Sequence, residues 1–123
     1  WRSLLHAGWP GSTRLAAICG GEAFPASLVV PLKQRVGRGL WNAYGPTEAT
    51  IWSTTHFLGK GSGSDFGADS VPIGGPIANT ELLLVAVEED ERSAKDDACF
   101  SEGELLIGGV GVALGYHRRQ DLS

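Results

Sequence analysis

The chain has 123 residues, 42% of them apolar and 20% charged, which places it with folded globular proteins and excludes wholesale disorder. A formal net charge of -4 removes the basic face that general nucleic-acid binding needs, so no nucleic-acid partner is expected. No apolar run is long enough to span a membrane and nothing at the amino end reads as a signal peptide, so no membrane partner is expected either.

Trp1, Leu4, Leu5 and Trp9 are spaced like one face of a helix over residues 1–9, broken by Pro10, Gly11 and Ser12. "LAAICGG", Leu15 to Gly21, is a short apolar run ending in glycines and predicts a buried parallel strand. Leu28, Leu32 and Val36 then recur four apart, with Pro25 at the start and Gly37 as the stop of a helix. Pro31 lacks an amide donor and predicts a kink or a shifted start. "GLWNAY" is strand-like, and strand, helix, strand in that order predicts a βαβ unit with a parallel sheet. Residues 59–70 form a polar, glycine-rich loop. "ELLLVAVEED" and "GELLIGG" follow as strands, and the acidic run of residues 88–102 between them reads as a solvated hairpin tip. The expected fold class is therefore α/β, with an α/β part over residues 1–58 and a β-rich, barrel-like part over 59–123.

Several chemistries fall away. "GVGVALG" is one position out of step with a dinucleotide fingerprint, and "GKGSGS" lacks the upstream glycine of a phosphate loop. His6, His56 and His117 show no metal-ligand spacing, and no Gly-x-Ser-x-Gly elbow exists. Cys19 and Cys99 build no disulfide framework, which makes a reducing cytoplasm the default.

Two loops remain, "CGGEAF" and "NAYGPTEATIW", each following a candidate strand. Ligands of open α/β sheets bind at such carboxyl ends. The residues suit a nucleotide. Gly20 and Gly21 permit close backbone approach, Asn42 offers donor and acceptor to a base edge, and Tyr44 offers a stacking face. Thr47 can donate to a phosphate oxygen, and Glu48 is a hard oxygen ligand suited to Mg²⁺. The other reading makes Tyr44 packing, Gly45-Pro46 a turn and Glu48 a solvated charge. From these residues alone the two stand level.

"GGEAF", "NAYGPTE" and "GELLIGGVGVALGYHRR", in that order along nearly the whole chain, resemble the adenylation domain of nonribosomal peptide synthetases, within the superfamily of adenylate-forming enzymes. The resemblance implies ATP and Mg²⁺ as cofactors and an amino acid as substrate, converted to an aminoacyl-adenylate. It further implies transfer to the phosphopantetheine thiol of a carrier-protein domain, beside other synthetase domains. By motif it implies that Gly21, Glu22, Ala23, Asn42, Tyr44 and Gly45 border the adenine. Thr47 would touch the α-phosphate and Glu48 would hold Mg²⁺, these two being the catalytic pair. Ile18, Gly20, Ala43, Ile51 and Trp52 would line the substrate pocket, with plain core packing the other reading of Ile51 and Trp52. An indole there takes up volume and favours a small amino acid. Leu114 and Gly75 stand where the family commonly has arginine.

The chain holds no methionine, opens inside a helical pattern and stops just past a compact motif, so an internal piece of a longer protein is expected. The family's phosphate loop, amino-group aspartate, ribose aspartate and catalytic lysine would lie outside it. An acyl- or aryl-acid ligase of the same superfamily, and a non-catalytic nucleotide-binding module, are the other readings.

Overall fold

A computed structural model of the chain describes residues 1–59, 71–86, 102–119 and 121. The elements run α1 (Arg2–His6), β1 (Ala16–Cys19), α2 (Ala26–Lys33), β2 (Gly39–Tyr44), a 3-10 turn (Thr47–Ala49), β3 (Thr54–Gly59), β4 (Gly75–Pro76), β5 (Thr80–Val85) and β6 (Glu104–Gly109). The expected βαβ unit is present, with β1 pairing β2 in parallel from Ala16 opposite Gly39 to Cys19 opposite Asn42. β3 adds antiparallel to β2 and β4 antiparallel to β3, giving a four-stranded sheet in the order β1-β2-β3-β4. β5 and β6 form a separate antiparallel pair. Among the described residues no helix is long and apolar enough to cross a membrane.

Alternation along the strands sorts their side chains. Ala17, Cys19 and Leu40 are buried and join Phe24, Val29, Leu32, Val36, Leu58 and Val71 in the core beneath α2. Ile18 points to the opposite face and is 59% exposed. The strand expected at Leu15 to Gly21 is thus shorter and buried on one face only. Pro31 does not displace α2. Pro25 caps its start, and Arg35 Nη1 donates to Pro31 O at 3.0 Å while its Nε donates to Trp9 O at 3.0 Å, tying the helix end to the chain after α1. α2 ends at Lys33, with Gln34 as its cap, four residues before Gly37. α1 likewise ends at His6 rather than at Trp9, because Gly8 takes a left-handed conformation (φ 73°) just beyond its cap.

β3 is the element that hydrophobic patterning passes over. Its most buried residue is Thr54, at 0% exposure, whose hydroxyl donates to Ile73 O at 2.7 Å. Gly59, read as the start of a loop, is its last residue. The rest of that loop and most of the acidic hairpin tip lie outside the described residues.

Burial pushes the Cys19 thiol up to about 11. The neutral thiol favours folding below the ordinary cysteine range, and that contribution is lost as the pH climbs toward 11. Native Cys19 is therefore expected to resist iodoacetamide at pH 8 and to react once the chain is unfolded. Peptide mass spectrometry reads this directly, and native labelling at the rate of a free thiol would contradict it.

Candidate functional site

β1 and β2 are parallel neighbours, so the loops leaving Cys19 and Tyr44 emerge at the same edge of the sheet. They face each other across a cavity of about 540 Å³, a size suited to a small-molecule ligand. Gly21, Glu22 and Ala23 line one side; Asn42, Ala43, Tyr44 and Gly45 line the other. Phe24, Pro25, Val71 and Ile73 complete the wall, residues to which sequence reasoning assigned no part. Val71 and Ile73 sit close because the segment before β4 is bonded along β2 and β3. Asn42 Nδ2 donates to Pro72 O at 2.8 Å. Asn42 is 4% exposed, and with one N–H of its amide held by Pro72 O, its Oδ1 is oriented as an acceptor for a ligand.

Beyond Tyr44 the backbone is forced round a tight loop. Thr50 and Ile51 both adopt left-handed conformations, φ 56° and 68°, which cost a β-branched residue more than most. Ser53 N donates to Tyr44 O at 2.7 Å and Trp52 N to Thr50 O at 2.9 Å, closing the loop onto the strand end. A β-carbon on Gly45 would lie 2.6 Å from Ile51 O, so only glycine fits there.

The residues expected at a substrate pocket are split. Ala43 lies on the face of β2 opposite Asn42, as strand alternation requires. The indole of Trp52 lies directly against the α-carbon of Gly20, where any β-carbon would collide with the ring and with Ala43 O. Gly20, Ala43 and Trp52 therefore form one packed cluster. Ile18 opens into a different cavity, lined also by Trp1, Arg2, Gly20 and Glu22. Ile51 is 66% exposed.

Thr47 and Glu48 stand apart from the first cavity, on the 3-10 turn after Pro46. They share a hollow of about 360 Å³ with residues 113–117. Three hydrogen bonds hold that distant segment to the turn. Ala113 N donates to Glu48 O at 2.6 Å, Thr50 Oγ1 donates to Gly111 O at 2.5 Å, and Tyr116 Oη donates to Glu48 Oε1. The Tyr116 hydroxyl holds the Glu48 carboxyl below its usual range, and the same contact raises the Tyr116 phenol. Leu114 projects into solvent.

No cluster of three or more His, Cys, Asp or Glu capable of caging a metal exists among the described residues. Mg²⁺ does not need one, since it commonly takes one or two carboxylates and completes its shell with phosphate oxygens and water. The exposed Glu48 carboxylate fits that limited role.

Residues 3–117 match the sequence profile of a family described as AMP-binding enzyme. The chain is 37% identical over 128 aligned residues to the PKS-NRPS hybrid synthetase acdB of Aspergillus candidus, covering 100% of this chain and 4% of that protein. It is 42% identical over 106 residues to tyrocidine synthase 1 of Brevibacillus parabrevis, covering 86% of this chain and 9% of the relative. The chain thus spans less than a tenth of either curated relative. Among solved structures it is similar to holo-AB3403, a four-domain nonribosomal peptide synthetase bound to AMP and glycine. That likeness has a TM-score of 0.74 at 35% identity, over 98% of this chain and 8% of that one. A fused adenylation-PCP di-domain from Klebsiella oxytoca matches with a TM-score of 0.66 at 25% identity, over 88% of this chain and 20% of that one.

Proposed function

Because the chain belongs to the AMP-binding enzyme family, and its relatives are nonribosomal peptide synthetases, we propose that it supplies part of the nucleotide and substrate site of an amino-acid-activating adenylation enzyme. The carrying observation is the cavity shared by Gly21–Ala23 and Asn42–Gly45, at the carboxyl ends of two parallel strands. Adenine enters it, with Tyr44 along its ring. Asn42 Oδ1 accepts from the exocyclic amino group, a role consistent with the bond from Nδ2 to Pro72 O that fixes the amide. Thr47 donates its hydroxyl to the α-phosphate. Glu48 holds Mg²⁺, which supplies neutralisation of phosphate charge when bound.

An oxygen of the amino-acid carboxylate attacks the α-phosphorus and forms the new P–O bond. The bond to the bridging oxygen of the β-phosphate breaks, and pyrophosphate leaves with that electron pair. In the second half-reaction a phosphopantetheine thiol of a carrier domain attacks the acyl carbon, loses its proton and releases AMP. The protein contributes positioning and charge stabilisation, with no covalent nucleophile. Residues 1–58 hold most of these groups, and residues 59–123 contribute Tyr116 and the wall residues Val71 and Ile73.

The substrate is a small α-amino acid. Trp52 against Gly20 fills the space beside Ala43, and the most similar of the solved structures given above carries glycine. The full-length protein that carries this chain is expected to catalyse ATP–pyrophosphate exchange dependent on glycine or alanine. Exchange driven only by aryl or fatty acids would convert the reading to an acid ligase, and exchange with no acid would leave a binding module. The isolated 123-residue chain is expected to show no exchange, because the lysine and phosphate loop of the family lie outside it; measurable exchange by that chain would overturn this expectation.

A further inference from the structure

Glu48 lies in the open, on a three-residue turn, and among the described residues no cation pairs with it. A glutamate so placed would ordinarily sample several rotamers, and a ligand would have to order it at an entropic cost. Here a tyrosine 68 residues away reaches Oε1 through its hydroxyl. The ring that carries the hydroxyl has only two side-chain torsions, and its backbone is braced. In the segment leading to it, Ala113 N donates to Glu48 O and Gly111 O accepts from Thr50 Oγ1.

We propose that Tyr116 is a positioning residue for Glu48, presenting its carboxylate to the divalent cation that accompanies ATP. The inference rests on the adenylation reading above. A phenol suits the task better than a lysine or arginine would. It orders the carboxylate through one oxygen without cancelling its charge, and it leaves Oε2 for the cation. Hydrogen-bonded supports of this kind behind metal ligands commonly tune affinity by about ten- to a hundredfold. Were the contact only a surface latch between two segments, its loss would alter local order and leave cation binding untouched.

The test uses the full-length protein, with Mn²⁺ as the probe and its binding in the presence of ATP read by electron paramagnetic resonance. Tyr116→Phe keeps the ring and removes only the hydroxyl. It is expected to weaken Mn²⁺ binding about tenfold, with melting temperature and metal-free ATP affinity unchanged. Glu48→Gln is expected to weaken Mn²⁺ binding at least as much, and Tyr116→Phe is expected to add nothing in that background. Unchanged Mn²⁺ affinity in Tyr116→Phe, or a fully additive loss in the double variant, overturns the proposal and leaves the adenylation reading standing. A wild-type protein that binds neither ATP nor Mn²⁺ with ATP overturns both.

Discussion

Glu48→Gln in the full-length protein is expected to lower kcat/KM for amino-acid-dependent ATP–pyrophosphate exchange by about 10² to 10³, the usual loss when one electrostatic contact to a developing transition state is removed. The substitution is nearly isosteric. It keeps an oxygen that can accept from Tyr116 Oη, and it leaves Ala113 N on Glu48 O, because that bond uses the backbone. Folding should therefore be unaffected, as expected for a substitution at an exposed position. What disappears is the full negative charge needed by a hard cation. The loss should fall mainly on kcat, with the KM for the amino acid little changed, since the proposed role of Glu48 is toward the cation and not the amino acid. Raising Mg²⁺ should recover part of the rate. A variant with wild-type kcat at limiting Mg²⁺ would show that Glu48 is a solvated turn residue, the alternative that its sequence context left open.

The local parts of this site were legible because their physics is local. An apolar run ending in two glycines and a second strand ending in Asn-Ala-Tyr-Gly describe strand ends by short-range pattern, and the parallel pairing of Ala16–Cys19 with Gly39–Asn42 follows from the helix between them. β3 was not legible. Thr54 is buried through a side-chain bond to Ile73 O rather than by being apolar, so no alternation of hydrophobic residues marks the strand. β4 has two residues, Gly75 and Pro76, and exists only because β3 offers an edge. The wall formed by Val71 and Ile73 is a consequence of that pairing.

The contact between Glu48 and Tyr116 was beyond sequence patterning for another reason. Its partners are 68 residues apart, one on the 3-10 turn between β2 and β3 and the other beyond the end of β6. "GVGVALGY" drew attention as a glycine spacing one position out of step with a dinucleotide fingerprint and as part of a family motif, and neither pointed to Glu48. Its glycines instead serve close backbone approach. Gly109 adopts φ 110° at the end of β6, and a β-carbon on it would collide with Asn79 O. This turn carries the chain from β6 to Ala113 and Tyr116, beside the turn that holds Glu48.

Trp52→Ala is expected to change what the enzyme accepts more than how fast it works. The indole lies against Gly20 and beside Ala43 O, so its removal opens space at the end of β1. Discrimination by an apolar pocket runs at about 1–3 kcal/mol per methylene. Relative kcat/KM for valine or leucine against glycine should then rise by about 10- to 100-fold, read from exchange rates across a panel of amino acids. Gly20→Ala provides the opposite perturbation. Its new methyl meets the indole and also Ala43 O at 2.5 Å, a backbone atom that cannot swing aside. Overpacking of this kind costs about 1–3 kcal/mol. Pairing Gly20→Ala with Trp52→Ala should relieve the ring collision but not the carbonyl one, so the double variant should regain only part of the lost stability. If Trp52→Ala leaves the ranking of small and large amino acids unchanged, the indole is a packing residue and the pocket floor lies elsewhere. If the ranking shifts, the indole sets the size limit, and Gly20 leaves it the space a β-carbon would occupy.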